Sequence, residues 1–573
     1  MTRRTFGLFV TPRPLNWADA VVLLALVGLL ATVAWLGRAL WAPFTPDRPP
    51  AVELDPWHLP AYAVRSLLRM FAALGASLVF TLAVASWAAR SPRAARVILP
   101  ALDILQSVPV LGFLSATVTF FIALVPGHIL GLELASIFAI FTSQVWNLTF
   151  AFHQVLSTLP REQAEALRLY RVSGWQRFTH FELPAGIIPL VWNGMMSFGG
   201  GWFFLAASEA ITVLNQELLL PGIGSFMALA VQAADVPALG WAVLAMVILI
   251  LAVDALFWRP LVAWAEKFKV EESPAAEAPT SRVLELLRRS HLVPWIEGRL
   301  ARLDEQVDRR WRRWFGDPGA ERPERRRWDG PLTALLWIAI GGLVLRGAAF
   351  VTTEVTGAEV ARVLGLGALT LLRVAGVVAL AGLLWTPLGV WIGMNPRVAR
   401  YAQPIVQVLA SFPANFLFPL FALAFVRFGL SLQWGGAVLM ALGAQWYVLF
   451  NTIAGAMAIP NDLREMARNL GVRGPTRWRA LILPSIFPAL VTGGLTAAGG
   501  AWNASIVAEV VTWGDTTLRA TGLGAYVTAA TAAGDWPRIV LGVAVMSAYV
   551  VTLNRLVWRR LERLAAARYS LAA

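Results

Sequence analysis

Cysteine is absent from the 573 residues, which removes disulfides, thiolate metal ligands, iron–sulfur clusters and thiol nucleophiles together. Lysine is almost absent. Lys267 and Lys269 are the only two, and neither follows the glycines of a GxxxxGK[ST] loop, so no P-loop cradles a nucleotide in this chain. The five histidines are scattered and make no HExxH pair, which speaks against a zinc hydrolase. Charge is thin as well: 14% of residues are charged, where soluble domains carry roughly 25%. With 58% hydrophobic residues and a mean hydropathy of +0.63, the chain reads as a membrane protein.

The net charge of +14 does not point to nucleic acid, because the arginines flank apolar runs as the positive-inside rule demands. A bilayer core of about 30 Å takes about 20 residues of helix. The first half offers six such runs, at 17–41, 62–88, 98–125, 130–157, 185–212 and 237–264. The second half offers six more, at 331–350, 367–394, 402–427, 435–458, 485–511 and 537–558. The expected fold is therefore an all-α polytopic bundle of about twelve transmembrane helices. Arg3, Arg4 and Arg13 precede a run too long for a signal peptide, so the amino terminus reads as a retained anchor. Starting inside, the loops with Arg90, Arg93 and Arg96, with Arg161 to Arg177, with Arg397 and Arg400, and with Arg464 to Arg479 all fall on the cytoplasmic side. The amino terminus, linker and carboxyl terminus are expected there too.

The halves are copies. Ser107-Val108-Pro109 answers Ser411-Phe412-Pro413. Downstream, at an offset of 300, Glu165 answers Glu465, Gly174 answers Gly474, Leu183-Pro184 answers Leu483-Pro484, Trp202 answers Trp502, Glu209 answers Glu509 and Gly222 answers Gly522. An even number of spans per copy gives both the same orientation, with a pathway between them. The domains read as 1–265 and 331–573, two six-span repeats, joined by 266–330. That linker is a dense mixture of Arg and Glu with helical, amphipathic spacing, read as a spacer resting on headgroups or, alternatively, as a docking element.

Between the fourth and fifth span of each half lies a polar insertion, Glu162 to Pro184 and Asp462 to Pro484, longer than an ordinary connector. Here the chain resembles the permease subunits of binding-protein-dependent ATP-binding-cassette importers, whose cytoplasmic loop reads Glu-Ala-Ala, three residues, Gly and then Leu-Pro. Glu465-Met466-Ala467, Gly471 and Leu483-Pro484 fit it, with Gly474 at the turn. Glu165-Ala166-Leu167 and Leu183-Pro184 fit it in the first half, with Gly174 at the turn, but Arg171 stands where glycine is expected. The resemblance implies a type I importer fold. It implies coupling helices seated in two separate ATPase subunits that hold ATP and Mg, and a periplasmic or lipid-anchored binding protein that delivers solute. No cofactor or metal is expected in this chain, nor a catalytic residue, and the location implied is the cell inner membrane. The Ser-Val-Pro and Ser-Phe-Pro steps and the Gly-rich fifth spans look most like the subfamily that moves nitrate, sulfonates, taurine or bicarbonate.

Candidate pathway residues follow from polarity inside apolar spans. They are Gln106, Ser107, Pro109, Ser411, Pro413, Asn415, Trp202, Trp502 and Asn503, with Gln144, Gln445 and Asn193 as neighbours. Glu209 and Glu509, near the outer end of the fifth span, are read as a gate latch, because a carboxylate would repel an anionic solute. Arg69 and Arg373 are expected to snorkel to headgroups, or else to attract an anion. The competing function is an ion-gradient carrier of six plus six spans. It is disfavoured by the two long loops and by the scarcity of ionisable groups in the spans. A membrane-embedded enzyme lacks any cluster of nucleophile and base.

Overall fold

The protein is described by a computed structural model covering residues 16–44, 52–213, 216–268, 281–315 and 349–569, with short pieces between 338 and 347. The expected span at 331–350 falls almost entirely outside the described residues, as do Arg3, Arg4, Arg13 and the stretch 271–280.

Among the described residues eight helices are long and apolar enough to cross a membrane, or ten if each of two bent helix pairs is one span. Of the twelve expected spans, the third of each half is broken rather than kinked, the one at 331–350 lies mostly outside the described residues, and the helix Leu183–Glu209 at the first-half fifth span is not among the eight. Pro92–Gln106 and Val110–Leu124 meet at 84°, and Arg397–Ser411 and Ala414–Phe428 meet at 71°. The cause is local. A residue before proline is pushed out of the helical region, and Val108 (φ −83°, ψ 119°) and Phe412 (φ −71°, ψ 126°) are accordingly extended. Proline also has no N–H to carry the ladder across the break.

Many large apolar side chains, among them Leu24, Val79, Leu372, Leu383 and Phe428, stand exposed along these helices. In water such surface would be a liability; facing lipid it is what a spanning helix presents.

The repeat extends to backbone detail. Each fifth helix, Leu183–Glu209 and Leu483–Ala508, is preceded by a π-helical turn, Phe178–Glu182 and Trp478–Ile482. Each is followed by an antiparallel hairpin that the sequence reading did not anticipate: Ala210–Val213 with Gln216–Leu219, and Val510–Trp513 with Thr516–Arg519. A short helix comes next, Ile223–Gln232 or Leu523–Ala533, and then the sixth span, which again contains a π turn, Asp254–Trp258 or Asn554–Trp558.

The chain divides into two compact units. One comprises 1–41, 154–192 and 252–325, and so holds the first helix, the first polar loop and the linker. The other comprises 42–153, 193–251 and 326–573 and holds most of both repeats.

Candidate functional site

Three features carry the polar groups of the chain: two in the larger unit, and a loop whose two copies fall one in each unit. The first is a pair of ion clusters related by the repeat. Arg69, on the second helix of the first half, donates to Glu133 through Nε (2.5 Å) and Nη2 (2.7 Å) and to Glu209 through Nη1 (2.6 Å). The Ser66 hydroxyl donates to the same Glu209 oxygen at 2.6 Å, and the Gly224 N–H donates to the other at 2.7 Å. Glu209 thereby caps the helix Ile223–Gln232, where a carboxylate also meets the positive end of the helix dipole. All three charges are buried: Arg69 is 3% exposed, Glu133 7% and Glu209 0%.

In the second half Arg373 Nη1 donates to Glu509 at 2.8 Å, Thr370 takes the place of Ser66 at 2.9 Å, and the Ala525 N–H donates at 3.1 Å. Gln433 stands where the first half has Glu133, and accepts from Arg373 Nη2 at 2.7 Å. The first cluster thus holds two carboxylates around one guanidinium, the second one. Arg69 and Arg373 do not snorkel, because a carboxylate already satisfies each guanidinium inside the protein. Gly222 and Gly522 lie so close to these carboxylates that any Cβ would strike them, which is why both copies keep glycine. Glu133 escaped the sequence reading, although an acidic residue within an apolar span was the signal that could have found it.

The second feature is a cavity of about 390 Å³ lined by both halves. Gln106, Ser143, Asn147, Asn193, Gly199 and Gly200 contribute from the first, and Tyr447, Asn451, Gly499, Gly500, Trp502 and Asn503 from the second. None of the lining residues is Asp, Glu, Lys, Arg or His. The indole N–H groups of Trp502 and Trp558 are buried there with no partner among the described residues. The broken third spans reach the cavity with Val108, Val110, Phe412 and Pro413. Each break is tied to the opposite half. The Asn503 side-chain carbonyl accepts from the Val110 N–H at 3.1 Å, and the Asn415 amide donates to the Phe203 carbonyl at 3.1 Å.

Of the sequence candidates, Gln106, Pro413, Trp502, Asn503 and Asn193 therefore line the cavity. Asn415 supports a break. Trp202, Glu209 and Glu509 are buried outside the lining, and so is Gln144, whose amide atoms have no partner among the described residues. Pro109 and Ser411 sit at the breaks rather than on the lining, the Ser411 hydroxyl donating back to the Gln407 carbonyl. Gln445 accepts from the Trp385 indole at 3.1 Å. The Ser107 side chain lies outside the described residues.

The third feature is the loop between the fourth and fifth spans. In the second half Asn461–Asn469 and Gly474–Arg477 form two short helices, and Ala467, Leu481 and Ile482 pack with Val390, Ala456, Ile459 and Ile486, with Trp478 against them. Glu465 is exposed. The loop is thus a rigid body with its apolar side turned into the bundle. Between the helices Gly471 takes a left-handed conformation (φ 65°) and the Val472 N–H donates to the Ala467 carbonyl at 2.9 Å, a Schellman end.

The first-half loop, in the smaller unit, has the same form, Arg161–Leu169 and Gly174–Arg177, with Val172 donating to the Leu167 carbonyl at 3.1 Å. Arg171 occupies the left-handed position (φ 48°) without the help of glycine. The departure from the expected Gly changes the strain of this turn and leaves its shape. Leu183-Pro184 and Leu483-Pro484 open the fifth helices, with proline at the first turn where its missing N–H costs nothing. Glu165 is exposed beside half-buried Ala166.

A family model described as the binding-protein-dependent transport system inner membrane component matches this chain twice, at residues 78–258 and 386–564. Among curated proteins, the nitrate import permease protein of Leptolyngbya laminosa is 28% identical over 190 residues, 33% of this chain and 64% of that protein. The bicarbonate transport system permease protein of Synechococcus elongatus is 27% identical over 188 residues, again 33% and 64%. The putative aliphatic sulfonates transport permease protein of Bacillus subtilis is 30% identical over 183 residues, 31% and 65%. In each case the match spans less than two thirds of the relative's length.

Proposed function

Because the chain belongs to the binding-protein-dependent inner membrane transport components, as a multi-pass membrane protein carrying that unit twice, we propose that it is a transmembrane subunit of an ATP-driven importer. Its two halves form the solute pathway. Two separate ATPase subunits seat on the loops 161–184 and 461–484, and an external binding protein, periplasmic or lipid-anchored, delivers the solute. The amino terminus, linker and carboxyl terminus lie on the cytoplasmic side of the inner membrane. The observation that carries this reading is that each matched region contains one of the two loops, with the same left-handed turn in both.

The solute we propose is a small anion such as nitrate, a sulfonate, taurine or bicarbonate, in keeping with the names of the relatives. The cavity suits passage rather than storage. It offers amide, hydroxyl and indole groups and no counter-charge, so an anion is held by neutral donors that let it leave again. The Arg69 and Arg373 clusters join the second, fourth and fifth spans at one end and act as the latch of the outer gate, away from the solute.

The test is reconstitution in proteoliposomes with the cognate ATPase and binding protein. Solute uptake should require ATP and both partners, and persist when ion gradients are collapsed. Uptake that follows an ion gradient without ATP would establish the carrier instead. The absence of native cysteine also makes Arg473→Cys a clean probe of sidedness: an impermeant maleimide applied outside intact cells should fail to label it.

A further inference from the structure

The two loops are copies in backbone and unlike in surroundings. In the second, Arg473, Gly474, Pro475 and Thr476 are all exposed. In the first, Ser173 is buried at 1% exposure and Gly174, Trp175 and Gln176 are half-buried. What covers them is the linker helix Leu292–Phe315. The Ser173 hydroxyl donates to Asp308, the Trp175 indole donates to Asp304 at 2.7 Å, and Arg312 donates to the Gln176 side-chain carbonyl at 2.9 Å. Trp311 lies over Trp175 with ring centroids 6.1 Å apart, and a Cβ at Gly174 would come 3.1 Å from the Trp311 indole nitrogen.

The linker is anchored at its other end as well. Asp19, at the start of the first helix, accepts from Ser290 (2.8 Å) and from the His291 N–H (2.6 Å), while Asn16 donates to the Arg289 carbonyl (2.8 Å). A loose spacer has no reason to carry this set of matched partners.

The cover is partial, and what it leaves open is informative. Leu169 and Tyr170 remain 84% and 82% exposed, like Met466 and Leu470 of the second loop. The linker helix adds a surface of its own. Ile296, Leu300, Leu303 and Val307, at i, i+4, i+7 and i+11, form one exposed apolar stripe. Arg299, Arg302, Arg310 and Arg313 flank it on the side away from Asp304 and Asp308. The first loop places its exposed arginine at Arg171 where the second has it at Arg473, and the linker arginines add further positive charge beside the first.

We propose that the linker helix is part of the first ATPase-docking surface: one ATPase grips coupling helix and linker helix together, while the other meets the bare second loop. This rests on the importer reading above. It makes the two docking sites of a single chain unequal, and it assigns to the apolar stripe an occupant with an acidic rim.

The experiment measures, by native mass spectrometry, how many ATPase copies the purified full chain holds, and compares the wild type with three variants. Leu300→Glu/Leu303→Glu spoils the stripe without touching the clasp, and as an exposed change it should leave thermal unfolding of the chain unmoved. It is expected to reduce the count from two to one. Asp304→Ala/Asp308→Ala, which releases the helix from the loop, should do the same, and Arg473→Glu should remove the other copy. Retention of both copies by the stripe variant overturns the proposal. So does faster ATP hydrolysis in the clasp-release variant, which would make the linker a lock. A wild-type chain that holds no ATPase would instead sink the importer reading itself.

Discussion

The unequal ion clusters make a quantitative prediction. Glu209→Gln keeps the shape of the side chain and removes its charge, but Arg69 keeps Glu133 through hydrogen bonds of 2.5 and 2.7 Å. The loss is then the weakening of the bonds from Arg69 and Ser66 and the loss of the one from the Gly224 N–H, which meets an amide NH2 in place of an oxygen, about 1–3 kcal/mol. Glu509→Gln takes from Arg373 its only carboxylate among the described residues and leaves it with the Gln433 amide. Breaking a buried pair costs about 3–5 kcal/mol. The Arg373 side chain is 14% exposed against 3% for Arg69, so water reaches it and the lower end applies. Glu509→Gln should therefore be the more damaging change by up to about 2 kcal/mol, where about 1.4 kcal/mol is tenfold in the unfolding equilibrium. Glu133→Gln alone should resemble Glu209→Gln. The double change orphans Arg69 and should cost more than the sum of the two single ones. Denaturant titration of the chain in detergent reads all four. The reasoning fails if Glu209→Gln is as harmful as Glu509→Gln, or if the first-half double change is additive.

Other consequences follow from single positions. Gly222→Ala and Gly522→Ala place a methyl on a buried carboxylate and should each destabilise by at least the overpacking range of about 1–3 kcal/mol, read in the same titration. Arg171→Gly relieves a left-handed non-glycine residue and should raise stability by up to about 1 kcal/mol, whereas Gly471→Ala should lower it by a similar amount. Asn503→Ala removes the acceptor that holds the Val110 N–H and should cost about 1–3 kcal/mol in unfolding titrations and slow solute uptake, and Asn503→Asp, which keeps that acceptor but sets a carboxylate against the Gly499 carbonyl, should not recover the stability.

The legible part of this protein is what depends on short spacing or on repetition. Apolar runs located the second, fourth, fifth and sixth spans of both halves, since a helix in lipid is specified by length and hydropathy. The offset of 300 paired Glu209 with Glu509 and Gly222 with Gly522, but gave no hint that members of each set touch: that depends on a hairpin whose two strands of four residues carry little signal. Ser107-Val108-Pro109 was legible as an irregularity and not as a break, because the same dipeptide chemistry produces either, depending on what receives the freed backbone groups. Here Asn503, nearly four hundred residues away, receives the Val110 N–H. The linker was read from charge density, which says that a segment is solvated along one face. It does not say that Asp304 and Asp308 are aimed at one loop.

Duplication followed by divergence explains why the differences between halves are more telling than the likenesses. Shared features, the breaks, the left-handed turns and the carboxylate caps, recur in both halves. Glu133 against Gln433, Arg171 against Gly471 and Ser173 against Arg473 are positions where a fused chain, unlike an assembly of two identical subunits, is free to differ. All three departures change charge, and two of them lie in the loop that the linker helix touches or adjoins. A chain whose halves had to meet identical partners would have no use for that freedom at the loop. On the importer reading, a helix that among the described residues packs on the first loop and not on the second gives the two ATPase subunits different surfaces to meet.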